Sequence, residues 1–214
     1  MNETKIRILD AAERLIAEQG LDVSLRAITA AAGVNLAAVN YHFQSKDALI
    51  DAIVARAIEP VNRRRLEMLD AVERESADGR LPLEGVLRAF LSPLTELDPR
   101  GREHVRALMG RIYSVPDEFI RRVFDRHLAA IAERFLEAFA RAVPELTAEE
   151  RVWSMLFAIG AVIHVLNWSG TLPHLFKDLV DVSDGKALTE RLIAFTAAGF
   201  RSLEHTRQLE QSHA

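Results

Sequence analysis

Cysteine is absent from the 214 residues. That one absence removes disulfides, thiolate metal sites and cysteine nucleophiles together, and it fits a reducing compartment. Positive charge is also scarce. The formal net charge is −4, and up to Ile50 the cations Lys5, Arg7, Arg14, Arg26 and Lys46 are outnumbered by Glu3, Asp10, Glu13, Glu18, Asp22 and Asp47. This excludes nucleic-acid binding by bulk charge but not by a few well-placed donors, because phosphate contact needs position more than total charge. No apolar run is long enough for a typical membrane span. The best candidate, Val152 to Trp168, contains Ser154, His164 and Asn167 and reads as a buried helix. Met1-Asn2-Glu3-Thr4 opens the chain without the basic-then-apolar pattern of a signal peptide. A cytoplasmic protein without membrane association is expected.

Catalytic signatures are missing as well. No phosphate-cradling glycine loop, H-E-x-x-H or nucleophile elbow occurs. His104, His127, His164 and His174 are scattered without metal-ligand spacing, and His164 reads as a core histidine. Glu149-Glu150 is explained by helix capping. The chain is therefore expected to have no catalytic residue, no metal, no cofactor and no enzymatic activity. Strand-like alternation, internal repeats and low-complexity tracts are absent too, which leaves an all-α reading.

Apolar residues make up 49% and charged residues 27%, enough for a core in one large or two modest domains. Asn2 or Thr4 can cap a first helix ending at Gly20, with Ile8, Leu9, Ala12, Leu15 and Ile16 on one third of its circumference. Ser24 caps a short helix closed by Gly33, a residue suited to the left-handed turn that ends a helix. Asn35 caps a second short helix, with Val34 and Val39 spaced as a hydrophobic staple. On a helical wheel Leu36, Val39 and Phe43 point inward, and Ala37, Ala38, Tyr41 and His42 point outward. Helix, glycine turn and helix is the helix-turn-helix arrangement. Its outer face suits DNA: alanines let the backbone approach base edges and thymine methyls, while Tyr41 and His42 reach phosphates.

From Thr4 to Leu49 the chain resembles the N-terminal domain of the TetR family of bacterial transcriptional regulators. The matching pieces are Ile8-Leu9-Asp10-Ala11-Ala12, Gly20, Ser24-Leu25-Arg26-Ala27-Ile28, Ala32-Gly33-Val34, Tyr41-His42-Phe43 and Ser45-Lys46-Asp47-Ala48-Leu49. The resemblance implies that Ser24 and Arg26 contact the DNA backbone. The expected DNA-binding set is Ser24, Arg26, Asn35, Ala37, Ala38, Asn40, Tyr41, His42 and Lys46. The stretch Asn35 to Phe43 also resembles a branch of the family that contains fatty-acid-responsive regulators.

Ser45 caps the next helix, and Lys46 sits in its first turn against the preference of the helix dipole, as if for a phosphate. Pro60 is expected to kink or split this helix, which links head to body. Arg63-Arg64-Arg65 reads as a solvated face or as partners of Glu59 and Glu67. Helical patterns follow from about 82 to 97, 100 to 113 and 117 to 143. Thr147 with Glu150 forms a capping box for a helix that is apolar nearly all round, implying one side on the core and one on a partner subunit. After an irregular stretch from Gly170 to Gly185, the last helix runs from Ala187 to about His205, with a polar, frayed tail after Thr206. Its Ala194, Ala197, Ala198 and Gly199 would permit close approach of another helix. The resemblance implies a four-helix dimer bundle from these last two long helices.

The body is richer in aromatics than the head, and with the family's usual effector site this marks Phe90, Leu94, Met109, Ile112, Tyr113, Phe124, Trp153, Phe157 and Trp168 as a candidate ligand pocket. The expected domains are 1–50, a helix-turn-helix DNA-binding head whose link to the body starts at 46, and 51–214, a helical effector-binding and dimerisation body. The expected function is a homodimeric transcriptional repressor, bound to a palindromic double-stranded operator and released by a small apolar, fatty-acid-like effector. The alternative is a helical small-molecule-binding or metabolising protein whose head contacts protein instead of DNA. The alanine-rich outer face of Leu36 to Phe43, a poor protein hot spot, speaks against that alternative.

Overall fold

Helix signals close in sequence account for most of the observed elements. The computed structural model describes all residues except 1, 21, 77–78, 99–100, 103–104, 106–116 and 213–214; for 117, 119–120, 204 and 206–212 it describes the backbone only. The described elements are α1 (Glu3–Gln19), α2 (Leu25–Ala32), α3 (Leu36–Phe43), α4 (Lys46–Glu75), α5 (Leu83–Thr95), α6 (Asp117–His127), α7 (Ala129–Ala142), α8 (Ala148–Trp168), α9 (Leu172–Leu175) and α10 (Gly185–Ser212). No strand occurs among the described residues.

The chain forms two compact units: residues 1–60 with 99–128, and residues 61–98 with 129–214. In the first, α1, α2 and α3 close around Ile8, Leu9, Ala12, Ile16, Val23, Ile28, Val39 and Phe43, with Leu49, Ile50 and Ile53 of α4 completing the cluster. Further along α4, Val54, Ala57 and Ile58 pack with Val123 and Leu128. Asp51 is tied to Arg126 at 2.7 Å and to His127 at 2.9 Å. Burial pushes the Asp51 carboxyl up, but the hydrogen bonds from His127 and Arg126 outweigh it and hold the group below its ordinary value.

In the second unit α10 packs against α5 and α8, and α7 against α5 and α8. Phe90, Phe135, Phe139 and Phe200 form a connected run of rings, the last pair stacked at 5.0 Å. The start of α10 lies so close to the end of α5 that a Cβ on Gly185 would run into the backbone carbonyl of Thr95. The hydroxyls of Thr95 and Thr189 share a buried hydrogen bond beside it. At the surface Glu73 holds Arg134 and Arg141, and the hydrogen bond from Arg134 is the main reason its carboxyl lies below the usual range.

Several expectations need correction. Pro60 does not split α4, which runs unbroken through it; the two compact units nevertheless part at this residue. The pattern from 117 to 143 is two helices, interrupted at Leu128. No proline or glycine marks that break, because it arises from a change of partner: Val123 and Leu128 belong to one unit, while Ile131, Phe135 and Phe139 are buried in the other. A one-turn helix interrupts the stretch from Gly170 to Gly185, and α10 keeps helical backbone to Ser212 instead of fraying after Thr206.

Arg65 is buried and not part of a solvated face. It stands four residues from both Val61 and Leu69, which are themselves buried, so the helical period turns it inward. Arg64 does pair with Glu67, at 3.3 Å. His164 is exposed and stacks on Trp168 instead of filling the core.

Candidate nucleic-acid interface

Three caps shape the head. Ser24 Oγ accepts from the Ala27 N–H at 3.1 Å, Asn35 Oδ1 from Ala38 at 2.9 Å, and Ser45 Oγ from Ala48 at 3.0 Å. Each occupies one backbone donor that a helix start leaves unpaired. Gly33 closes α2 in the left-handed region, at φ 63° and ψ 39°, and Val34 N–H returns to the Thr29 carbonyl at 3.0 Å. The chain therefore leaves α2 and enters α3 within three residues.

α3 is pinned by Val39 and Phe43, both nearly fully buried. Its opposite side carries Ala37, Asn40 and Tyr41, all exposed, with Tyr41 at 83%. A large phenol held that far into solvent on a helix anchored this firmly is positioned to meet something else. The His42 ring lies edge-on to Tyr41 at 5.0 Å and is half-buried. Ser24, Arg26 and Asn35 are exposed, and Lys46 is partly exposed at the first position of α4.

Two members of the short helix do not sit where the wheel puts them. Leu36 is 44% exposed; as the first residue of α3 it projects past the end of the core that covers Val39 and Phe43. Ala38 is half-buried and packs against that core, so its contribution to an outer face is partial.

Two features of the head have no local signal in the sequence. Lys5 places its Nζ 5.5 Å from the centre of the Phe43 ring, adding a cation near the end of α3. Nothing in the local pattern of α1 signals this, since the contact spans the core. Gln44 adopts φ 64°, a conformation that side chains other than glycine seldom take. Its N–H still donates to the Asn40 carbonyl at 3.0 Å. This corner turns α3 sharply into α4 and brings Tyr41, His42 and Lys46 within a few residues of one bend. No glycine announces it.

The described candidate pocket residues of the second unit divide between its core and its surface. Phe90 and Leu94 are buried in the second unit's core, whereas Trp153, Phe157 and Trp168 are exposed on α8. Phe124 is exposed in the first unit, and Met109, Ile112 and Tyr113 lie outside the described residues. The physical reason is that α8 is apolar all round, so aromatic content did not say which ring faces inward. Among the described residues no group of three His, Asp or Glu side chains gathers as a metal site.

α8 and α10, which pack together in the second unit, each leave apolar side chains exposed. α8 exposes Trp153, Leu156, Phe157 and Trp168, and α10 exposes Phe195 at 72% beside Ala194, Ala198 and Gly199. By length and composition α8 would also suffice to cross a membrane. Its other face, Ser154, Met155, Ala158, Val162 and Leu166, is nevertheless buried in the unit, and both halves of the Thr147–Glu150 capping box are in place.

Residues 8–53 match the family described as bacterial regulatory proteins, tetR family. Residues 88–199, more than half of the chain, match the tetracyclin repressor-like C-terminal domain. No curated protein matches the sequence. Among solved structures, the fatty acid degradation regulator FadR from Bacillus halodurans is similar at TM-score 0.66 and 16% identity, covering 94% of this chain and 98% of that one. A bacterial regulatory protein in the tetR family from Rhodococcus aligns at TM-score 0.62 and 19% identity, over 92% and 96%. The regulator PfmR from Thermus thermophilus aligns at 0.57 and 19%, over 91% and 97%. At these identities the likeness concerns the fold.

Proposed function

We propose that this chain, which belongs to the TetR family of bacterial regulatory proteins and is therefore a DNA-binding transcriptional regulator and not an enzyme, works as a dimeric cytoplasmic repressor released from its operator by a small apolar molecule. In this reading residues 1–50 bind DNA and residues 51–214 bind the effector and form the dimer. α3 enters the major groove with Ala37, Ala38 and Asn40 toward base edges. Ser24, Arg26, Tyr41, His42 and Lys46 take phosphates, with Asn35 at the helix start. The observation that carries this is Tyr41, almost wholly in solvent on a helix fastened from behind by Val39 and Phe43.

The uncovered stripe of α8 and α10 supports a second copy of the chain as partner, since a soluble protein seldom leaves large aromatics of two adjoining helices in water. A two-fold dimer sets two heads on two half-sites, hence a palindromic operator. The fold shared with a regulator named for fatty acid degradation supports an apolar, fatty-acid-like effector.

The DNA reading is tested by retardation of DNA from upstream of the protein's own gene. Lys46→Ala is expected to weaken binding and to lower the slope of log affinity against log salt by about one unit, the signature of one lost phosphate contact. Tyr41→Phe removes a neutral donor and is expected to weaken binding with the slope unchanged. Both side chains are at the surface, so the circular dichroism spectrum stays the same. Wild-type affinity and slope in both variants would take these residues off the DNA face.

Release is a statement about coupling. A ligand that lowers operator affinity must bind less tightly, by the same factor, when operator is present. Calorimetry of one ligand with and without operator checks this directly; equal affinities in the two titrations rule out release by that compound.

A further inference from the structure

The second unit contains a buried cation with no counter-ion among the described residues. Arg65 is 3% exposed, and it is the only charged residue among the buried described residues. Its Nε donates to the Phe90 carbonyl at 2.9 Å. Its Nη1 reaches Asn62 Oδ1 at 3.4 Å, long for a hydrogen bond. The guanidinium carbon lies 4.6 Å from the centre of the Phe90 ring. Nη2 is buried and has no hydrogen-bond acceptor among the described residues. Other arginines of this unit have partners at the surface: Arg88 with Glu190, Arg134 and Arg141 with Glu73, Arg201 with Glu84.

The arrangement runs against stability. Burial pushes the Arg65 pKa down to about 10, which still leaves the group charged at neutral pH, and an unpaired buried charge costs more than a fitted apolar side chain in its place. A cation ring-stacked on one face, anchored through Nε and open at Nη2 is held ready for an anion. Guanidinium and carboxylate are matched in geometry and charge. One buried cation balances one negative charge, so a monoanion fits better than a phosphate dianion.

We propose that Arg65 receives the head of the effector, and that the effector is a monocarboxylate whose apolar tail lies against the side chains around Phe90. This rests on the ligand-release reading above and gives its ligand a chemical class. Nη2 is closed to solvent, so a guest must part side chains to reach it. A ligand that has to do so binds one arrangement of the helices better than another, which is what an effector requires.

The test uses the full-length, delipidated protein and three probes: decanoate, the uncharged 1-decanol of equal length, and acetate, the head without a tail. Saturated carboxylates from hexanoate to tetradecanoate cover the choice of length. Binding is followed by calorimetry and by the rise in melting temperature that any native-state ligand produces. In the wild type at least one carboxylate of the series is expected to bind ten-fold or more tighter than the alcohol of its length, with acetate silent. Arg65→Met is expected to bind acid and alcohol alike, and without ligand to melt at or above the wild-type temperature.

A wild type that does not prefer acid to alcohol, or that binds none of the series, overturns the proposal. So does an Arg65→Met protein that keeps the preference. A ligand-free variant melting well below the wild type, or failing to fold, assigns Arg65 a structural role and overturns it too. Arg65→Lys, which keeps the charge but loses the fork, is expected to retain part of the preference; a preference wholly retained in Lys and Met alike overturns the proposal. Operator affinity measured in parallel separates the two readings. DNA release by decanol without any carboxylate preference would leave release standing and remove the anchor. Acid bound through Arg65 with operator affinity unmoved would do the reverse.

Discussion

Gly199→Arg is expected to yield monomers whose operator affinity is lower by about 10²- to 10⁴-fold, the advantage that linking two binding modules confers. Gly199 lies on the exposed side of α10 with Ala194, Phe195 and Ala198, and a Cβ added there meets nothing within 4 Å in the protomer. Inside a helix, replacing glycine removes a penalty of about 1 kcal/mol, so the protomer has no reason to unfold. What the substitution blocks is the close approach of a second helix to the strip of small residues, and it sets a charge against the apolar stripe that includes Trp153 and Phe157, whose rings stack at 5.8 Å. Sedimentation velocity with parallel operator titration is the measurement. A Gly199→Arg protein that sediments as the wild-type dimer would place the interface elsewhere on the molecule.

Phe139→Ala should remove about 3–5 kcal/mol of stability, the usual cost of deleting a fully buried aromatic ring, from a total that in proteins is only about 5–15 kcal/mol. Phe139 has no exposed surface and sits at the junction of the ring cluster, 5.0 Å from Phe200, 6.1 Å from Phe90 and 6.5 Å from Phe135. These rings come from α5, α7 and α10, so the cavity would open where three helices meet and could not close by moving one of them. Phe139→Leu keeps most of the volume and is expected to cost far less. Denaturant unfolding at one fixed protein concentration decides, because dimer stability depends on concentration. A loss below about 1 kcal/mol for Phe139→Ala would mean that the core collapses around the missing ring, and that the cluster is not the centre of this unit.

Both substitutions fall in the second unit, outside the helix-turn-helix residues. The head itself was the more legible part of the chain. Asn2, Ser24, Asn35 and Ser45 all cap as their residue types require, and Gly20 and Gly33 end α1 and α2 with positive φ. The buried residues of α1 recur at helical spacing and the head closes as three helices around them. Within the head, the structure departs from the helical wheel at Leu36, which has lost its cover at a helix terminus, and at Ala38, which packs partly against the core; the Lys5 contact with Phe43 and the positive φ of Gln44 have no local signal.

What the amino-acid sequence determined by itself is what acts over one or two turns: helix starts and stops, the glycine turn between α2 and α3, the capping box of α8, and the amphipathic faces of helices with one apolar side. These depend on hydrogen bonds and side-chain spacing among residues close together in the sequence. The tertiary structure decided everything that depends on which helix lies opposite. It chose the buried face of α8, a helix whose apolar girdle names no face, and left Trp153 and Phe157 outside while Met155 and Val162 went in. It broke the helical pattern at Leu128, where the chain passes between units, and within the second unit it put Phe90 inside and Trp168 outside. It also drew Arg65 into the core, where a charged residue in an arginine run would be expected to stay in water. Burial is a property of the pair of surfaces that meet, and the second surface is never near in sequence.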